Sequence, residues 1–555
     1  MIERVIAKPA LMLIILGALA CPPAGLAQRA SSPVAERHFH KGIALLEKEE
    51  TAHAIAELRK AIELKPGYAE AHNALGLALA RNGDLKSASE SFLKAVELDP
   101  KLYKAHRNLG RSLHQMGDLD GAVNAFRRSL SLKADDADTH LLLGVALQQK
   151  GMADAAASAF REAVRLSPRM AEARFYLGYL LAAKGELQAA ASEFETTLKL
   201  KPDYAEAYYY LGTARWFSGD AGGAASALRK AVKLIPNHPD SHYYLGLALR
   251  KGGDEDIEEA VEAFRAVTKL KPGFIQAYIE LGLALVSKRD PEGAVATFNE
   301  AIRLDPNNTV AHHNLGMAFI QKSDYDAAVA QYRRLIGIAP DSAEAHYNLG
   351  LALKNKDLFD EAVVELKKAI ALLPSLHEAH YTLGVILLQQ GKLDESAASF
   401  KAALVVKPDY AEARYALGTV LQQQGDLAGA IDAFRGALKH APNAPEIHNT
   451  LGTALRQKGD MEAARVEFQE AARLNKKKSD MQAAMFAINT GLARLKEGNL
   501  DAAVERFRAA VGLAPDDAMA HYHLARALLR KGQRKAAEAE YLKAKQLDPR
   551  LKPLM

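Results

Sequence analysis

A small residue recurs along this chain at Gly42, Gly76, Gly110, Gly144, Gly178, Gly212, Gly246, Gly282, Gly316, Gly350, Gly384, Gly418, Gly452, Gly491 and Ala525. The spacing is 34 residues, broken by one interval of 36 and one of 39. A unit this short cannot bury its own apolar side and must stack on its neighbours. The rest of the phrase keeps the same register. Alanine follows most anchors twelve residues on, as at Ala54, Ala88, Ala122 and Ala156. Four residues later comes a bulky group, as at Phe92, Phe126, Phe160, Phe194, Phe264, Phe298 and Tyr332. Proline closes many units, as at Pro66, Pro100, Pro168, Pro202, Pro306 and Pro340.

Each unit reads as two amphipathic helices. In Tyr68–Lys101 the spacing predicts a first helix over about 69–81, a turn at "NGD" and a second helix to about Leu98. Asp84 is placed to cap the second helix, and Pro100 falls where a helix has ended. Gly76 and Ala88 allow close approach of the pair, and Ala88, Phe92 and Ala95 share one face at i, i+4, i+7.

These residues resemble the tetratricopeptide repeat (TPR) family: a large residue, Leu-Gly, then Ala, an aromatic group and Pro over 34 positions. The resemblance covers about 35–549. It implies an all-α fold, a right-handed superhelical solenoid of helix-turn-helix units. One departure is consistent. The family's first large position is usually histidine here: His72, His106, His140, His242, His312, His346, His380 and His448. Stacked helices lie about 8–10 Å apart, whereas zinc ligands converge within about 2 Å of one ion. The row is therefore read as packing residues with a polar tip, and no metal or other cofactor is expected.

The first 27 residues differ. Arg4 and Lys8 precede the apolar run Ala10–Ala20, followed by Pro22, Pro23 and "AGLAQ". This is the pattern of an export leader cut after Ala27. The run is shorter than the roughly 20 apolar residues of a membrane span. Cys21 is the only cysteine. An alternative reading makes it the acylated residue of a lipoprotein, but the residue three places before it is Ala18 rather than leucine. The net charge of +5 over 555 residues is too weak to point to nucleic acid.

The array is interrupted twice. Two residues are inserted within "KGGDEDIEEA", read as a solvated loop, and five near "NKKKSD", Asn475–Asp480, where Ser479 or Asp480 is expected to cap a new helix. The expected organisation is a leader at 1–27, a linker at 28–34, repeats 1–13 over 35–478, a joint at 479–483 and repeats 14–15 over 484–551. "EKEETAHA" marks the first unit as an end cap, and the last unit carries Lys535, Glu538, Glu540, Lys543 and Lys545 on its second helix.

In the family the first helix of each unit lines the concave side. With the anchor called position 8, positions 2, 5, 6, 9, 12 and 13 form the groove stripe. The phrase "AEAYYYLGTARWFSGD" from Ala205 then places Tyr208 in the core and Tyr209, Tyr210, Trp216 and Phe217 on the groove. Phe175, Tyr176 and Tyr179 precede them and Tyr243 and Tyr244 follow. The strip is read as a partner-binding wall, against the alternative that the rings pack inside the superhelix. Arg215 stands where an apolar group is expected, and an inward Trp216 is the alternative placement. Asn108, Asn314, Asn348 and Asn489 occupy position 6, where an amide can both donate to and accept from a peptide. They resemble a broken form of the asparagine ladder in the TPR region of O-linked N-acetylglucosamine transferase. Arg107, Asn108 and Arg111 resemble part of the carboxylate clamp of chaperone-binding TPR domains, without its partners in repeats one and two. Acids at position 2, such as Glu70, Asp138 and Glu206, suit the helix dipole.

The leading reading is a non-enzymatic scaffold of the cell envelope, periplasmic or secreted, that binds a protein or extended peptide in its groove. The alternative is an assembly factor for polysaccharide export whose aromatic strip stacks on sugar rings. A remote one is a TPR partner of a glycosyltransferase. No phosphate-cradling loop, nucleophile with a base or convergent acid pair stands outside the repeat pattern.

Overall fold

The computed structural model describes residues 33–253 and 256–554. The leader and residues 28–32 lie outside the described residues. Among the described residues the regular structure is helical throughout, in 29 helices joined by short turns. Thirteen repeats supply two separate helices each, and repeats 13 and 14 share one, as described below. A representative pair is Ala69–Arg81 and Leu85–Leu98. The expected cap is present: the Asp84 carboxylate accepts from the Ser87 amide at 3.0 Å. The same acid cap recurs at Asp118, Asp220, Asp290, Asp324, Asp426 and Asp460.

The two helices of a repeat meet through the anchor glycine and the bulky residue sixteen or so positions on. A methyl group on Gly76 would lie 2.6 Å from Phe92, and one on Gly282 would lie 2.4 Å from Phe298. Both rings are 1% exposed or less. Only a residue without a side chain lets the ring sit against the facing backbone.

Seven histidines of the row tie their repeats to the loop before. Nε2 of His72, His106, His140, His242, His346, His380 and His448 donates to the carbonyl six residues upstream, at 2.8–3.1 Å. In six of the seven that carbonyl belongs to the closing proline. A carbonyl just past a helix end has no intrahelical donor, and the imidazole supplies one. His346 and His448 also reach Glu365 and Glu467 of their own second helices, at 2.5 and 2.6 Å.

The chain divides into two compact units, residues 1–308 and 309–555, so the division falls between repeats 8 and 9. It does not fall near 478. There the expected joint is replaced by one helix of 36 residues, Met461–Lys496, in which the second helix of repeat 13 runs into the first helix of repeat 14. Ser479 and Asp480 are interior residues of that helix and cap nothing. The physical reason is the absence of glycine and proline from the segment 461–490. Nothing there forces a left-handed residue or removes an amide, so helix propagation continues.

Within each unit successive first helices lie against one another, and no successive pair of second helices does so to the same extent. In unit 1 this holds from repeat 1 to repeat 8. In unit 2 it holds over repeats 9–12 and again between 14 and 15. Each of these stretches therefore curves with its first helices on the inside.

Every described turn within a hairpin uses a left-handed residue seven positions after the anchor. Eleven are glycines, with φ of 74–113°, but Glu49, Arg289, Ser323 and Asp357 hold φ of 59–64°. A side chain in this region costs about 1–2 kcal/mol. Replacing Arg289, Ser323 or Asp357 by glycine is therefore expected to raise the urea midpoint of the transition that includes that repeat. Lowered midpoints would contradict the strain.

Candidate functional site

The inner side of unit 1 has a polar stretch, repeats 2–4, followed by an aromatic one, repeats 5–7. In the polar stretch the Asn108 amide donates to Asn73 Oδ1 at 2.9 Å, which joins the first helices of repeats 2 and 3, Ala69–Arg81 and Tyr103–Gln115. Asn108 is buried. Arg107 donates to Asp136 at 3.2 Å, with Asp138 4.0 Å away, which joins repeats 3 and 4. Arg107 Nε has no hydrogen-bond partner. Arg111 is half-buried beside it; burial, then the charge of Arg107, lowers its pKa from the ordinary value. One turn on, burial pushes His114 down as well, which keeps a neutral imidazole on this wall, and its Nε2 is buried without a partner.

The expected clamp residues are thus brought together, but Asn108 is committed to Asn73 and Arg107 to an acid of the next repeat. Two of the other amides are also engaged or enclosed. Asn314 donates to Val310 O of its own helix at 2.9 Å, and Asn348 is buried. Both lie in unit 2.

The aromatic strip departs from expectation. Tyr209 and Tyr210 are 4% and 6% exposed, and Phe175, Tyr179 and Tyr244 are buried too. Tyr208, expected in the core, is half-buried and more accessible than its two neighbours. The rings pack on each other across repeats. Tyr210 meets Phe175 at 5.7 Å and Tyr179 at 5.4 Å, edge to face, and lies over Phe194 at 6.0 Å. Tyr209 meets His238 at 4.8 Å. Crowding of the first helices on the inside of the curve is the cause. Large rings at positions 5, 6 and 9 reach the neighbouring repeat before they reach solvent. These five residues form a packed inner wall, not an open docking strip.

Four members of the strip remain half-buried: Tyr176, Trp216, Phe217 and Tyr243. Tyr176 stacks on Phe160 at 5.3 Å, Phe217 meets Tyr244 at 5.8 Å, and Tyr243 meets Phe274 at 5.1 Å. Trp216 lies under Lys251 Nζ, 5.5 Å from the ring centroid. Arg215 does not leave a polar hole in the core, since its guanidinium donates to Glu195 at 2.7 Å and to Gly223 O at 3.2 Å.

Sequence reasoning missed Tyr204 and Phe274, which extend the ring network. Their signal was the loop phrase "KPGY", "KPDY" or "KPGF" before a first helix. The lysine sits over the tyrosine at 4.5 Å for Lys65 and Tyr68, 4.9 Å for Lys201 and Tyr204, and 5.0 Å for Lys407 and Tyr410. Such a contact contributes about 0.5–1 kcal/mol at an exposed site.

Among the described residues there is no group of three His, Cys, Asp or Glu able to hold a metal ion, and no helix long and apolar enough to cross a membrane.

The fold and the inner wall define a helical-hairpin repeat protein. The tetratricopeptide repeat family matches residues 141–309, 358–483 and 488–551 through one description. Further repeat descriptions match residues 42–83, 110–151 and 316–357, then 69–102 and 297–330. These matches span more than half of the chain, which belongs to the tetratricopeptide repeat family. No curated protein matches. Among solved structures the chain is similar to YrrB, described as a TPR protein with an unusual peptide-binding site. The identity is 25% over 35% of this chain and 98% of that one, with a TM-score of 0.33. It is similar to yeast Tom70 at 20% identity over 78% of this chain and 96% of that one, with a TM-score of 0.33. MamA matches at 26% identity over 30% of this chain and 96% of that one, with a TM-score of 0.29.

Burial holds the Tyr244 phenol up at about 12 and pushes Tyr209 and Tyr210 higher still, in each case with smaller contributions from nearby acids or phenols. The fold thus favours the neutral phenol. That contribution is intact below pH 10, the ordinary value, and is lost as pH rises towards 12. Titration at 295 nm is expected to show a late-ionising class of tyrosines whose ionisation coincides with loss of helical circular dichroism. Tyr209→Phe/Tyr210→Phe should shift that loss to higher pH; no shift would mean that these rings do not govern it.

Proposed function

We propose that this chain is a non-enzymatic scaffold that holds a protein or an extended peptide segment along the inner wall of its repeats. The observation that carries this reading is the contact between successive first helices. It lines up one helix from every repeat on the inner side of unit 1, so that side chains from several repeats face a single ligand. Repeat 3 carries Arg107, Arg111 and His114 on its first helix, groups suited to backbone carbonyls or an acidic side chain. Repeats 6 and 7 offer the accessible edges of Trp216, Phe217 and Tyr243. Aromatic and arginine side chains are the usual anchors of such surfaces. The ring faces are largely occupied by one another, which favours a peptide, able to use edges and polar tips, over a sugar that needs an open face.

Trp216 is the only tryptophan, so intrinsic fluorescence reports on this place alone. Capture of partners from an envelope extract should be lost in Trp216→Ala/Tyr243→Ala and weakened in Arg107→Ala/Arg111→Ala. Partner addition should shift the emission of the unaltered chain. A folded Trp216→Ala/Tyr243→Ala variant that retains every partner sinks this reading, and binding confined to a glycan array would favour the polysaccharide alternative.

We place the work of the scaffold outside the cytoplasm, on the strength of the basic and apolar leader. The mature protein isolated from an envelope or secreted fraction is then expected to begin at Gln28. A mature chain beginning at Met1 in the cytosol would exclude export.

A further inference from the structure

The long helix Met461–Lys496 leaves two stacking faces uncovered. In a first helix, positions 3, 7 and 10 pack against the repeat before. In unit 2, for example, Ala345, Leu349 and Ala352 share one core cluster with Tyr332 and Leu335 of the preceding second helix. Position 3 is buried in every repeat from 2 to 13 and again in repeat 15. In repeat 14 it is Phe486, 74% exposed, with Thr490 half-buried and Ala493 exposed along the same stripe.

The opposite half of the same interface is open on repeat 13. The bulky residue of each second helix, where it is Phe or Tyr, is 1% exposed or less from Phe92 to Phe434. Phe468, its counterpart in repeat 13, is half-buried. Beside it is a hollow of about 450 Å³ whose walls include Arg456, Met461, Arg465, Gln469 and Ala472.

These faces are less charged than the ends of the array. Repeat 1, with no described repeat before it, carries Arg37 and Lys41 at positions 3 and 7, both exposed. Repeat 15 carries Glu538 and Lys545 on its trailing face. Repeat 13 keeps one exposed charge, Arg465, in the register of Glu538, but has Ala472 in that of Lys545 and exposes Met461 at 64%, while repeat 14 exposes Phe486 at 74%. Large apolar groups exposed where the neighbouring repeats bury theirs mark an interaction surface.

One chain cannot join the two faces while the helix is continuous. Phe468 and Phe486 are 18 residues apart, five full turns, so they lie on one side of the helix about 27 Å apart. Asn475 and Ser479 fall between them on that side, close to its midline. Lys477 is nine residues from each ring, two and a half turns, and lies on the opposite side. The stripe is therefore symmetric about residue 477, apolar at both ends and small and uncharged in the middle.

We propose that the covering partner is a second copy of this chain, paired antiparallel along this helix about a twofold axis near residue 477. Phe486 of each copy then enters the hollow beside Phe468 of the other, and Asn475 faces Ser479 of the other. Repeat 14 of one chain stacks on repeat 13 of its partner in the antiparallel sense used between second and first helices elsewhere in the array. The contact is isologous and closes on itself, so it yields a dimer and not a filament. It does not depend on what the inner wall binds.

The test is the mass of the full chain in solution, by light scattering across a hundredfold range of concentration. The expected result is twice the mass of one chain, falling to one on dilution. Phe486→Glu replaces a side chain that is exposed in the single chain, so helical circular dichroism should not change. The dimer dissociation constant should rise by at least about tenfold, as for loss of a central aromatic anchor. In a Cys21→Ser background, Asn475→Cys chains mixed with Ser479→Cys chains should form a mixed disulfide faster than either alone. A single-chain mass at every concentration would overturn the proposal; it would fit a helix that breaks at 475–480 and stacks its halves within one chain. A dimer that survives Phe486→Glu and gives no preferred mixed disulfide would overturn it equally.

Discussion

The fold depends on one contact repeated along the chain: a bulky side chain of the second helix pressed against a glycine of the first. The Phe298 ring occupies the space that a methyl group on Gly282 would need. Loss of such a buried ring typically costs about 3–5 kcal/mol. In a stack where each repeat touches only its neighbours, the damage stays local. The contact also sets how closely the two helices of a hairpin approach. That spacing, repeated, lets the first helices draw together and gives each unit its inner side.

Much of this was legible. The anchor glycine, the ring sixteen residues later and the capping aspartate all act within one hairpin, so local spacing was enough to find them. The histidine row was read correctly as packing with a polar tip. Its acceptor, the carbonyl of the closing proline, was not identified, because that contact links one repeat to the loop of the one before. The lysine–tyrosine loop phrase is local, three residues apart, and went unread because the reading followed the helices and not the loops between them.

The aromatic strip shows where local reading stops. Helical position assigned Tyr209, Tyr210 and Tyr244 to the groove stripe, and the structure buries all three rings. Whether that stripe is open depends on the curvature of several repeats together, and no single repeat encodes it. The inner side is tight enough at repeats 5–7 that the rings satisfy one another. The joint near residue 479 failed for a different reason. The longer interval was taken as evidence of a turn, yet the segment contains no residue that ends a helix. The chemistry of 461–490 was the better guide than the period.

The turns at Arg289, Ser323 and Asp357 belong to three consecutive repeats, whereas every hairpin turn from Gly83 to Gly253 uses glycine. Strain that would be trivial in one place is therefore concentrated on either side of the boundary between Asn308 and Thr309. An array with uniform links frays from its tips. One with a weak patch inside has a second place to come undone, so pulling on the two termini of this protein should release it in blocks, with the break starting at its middle.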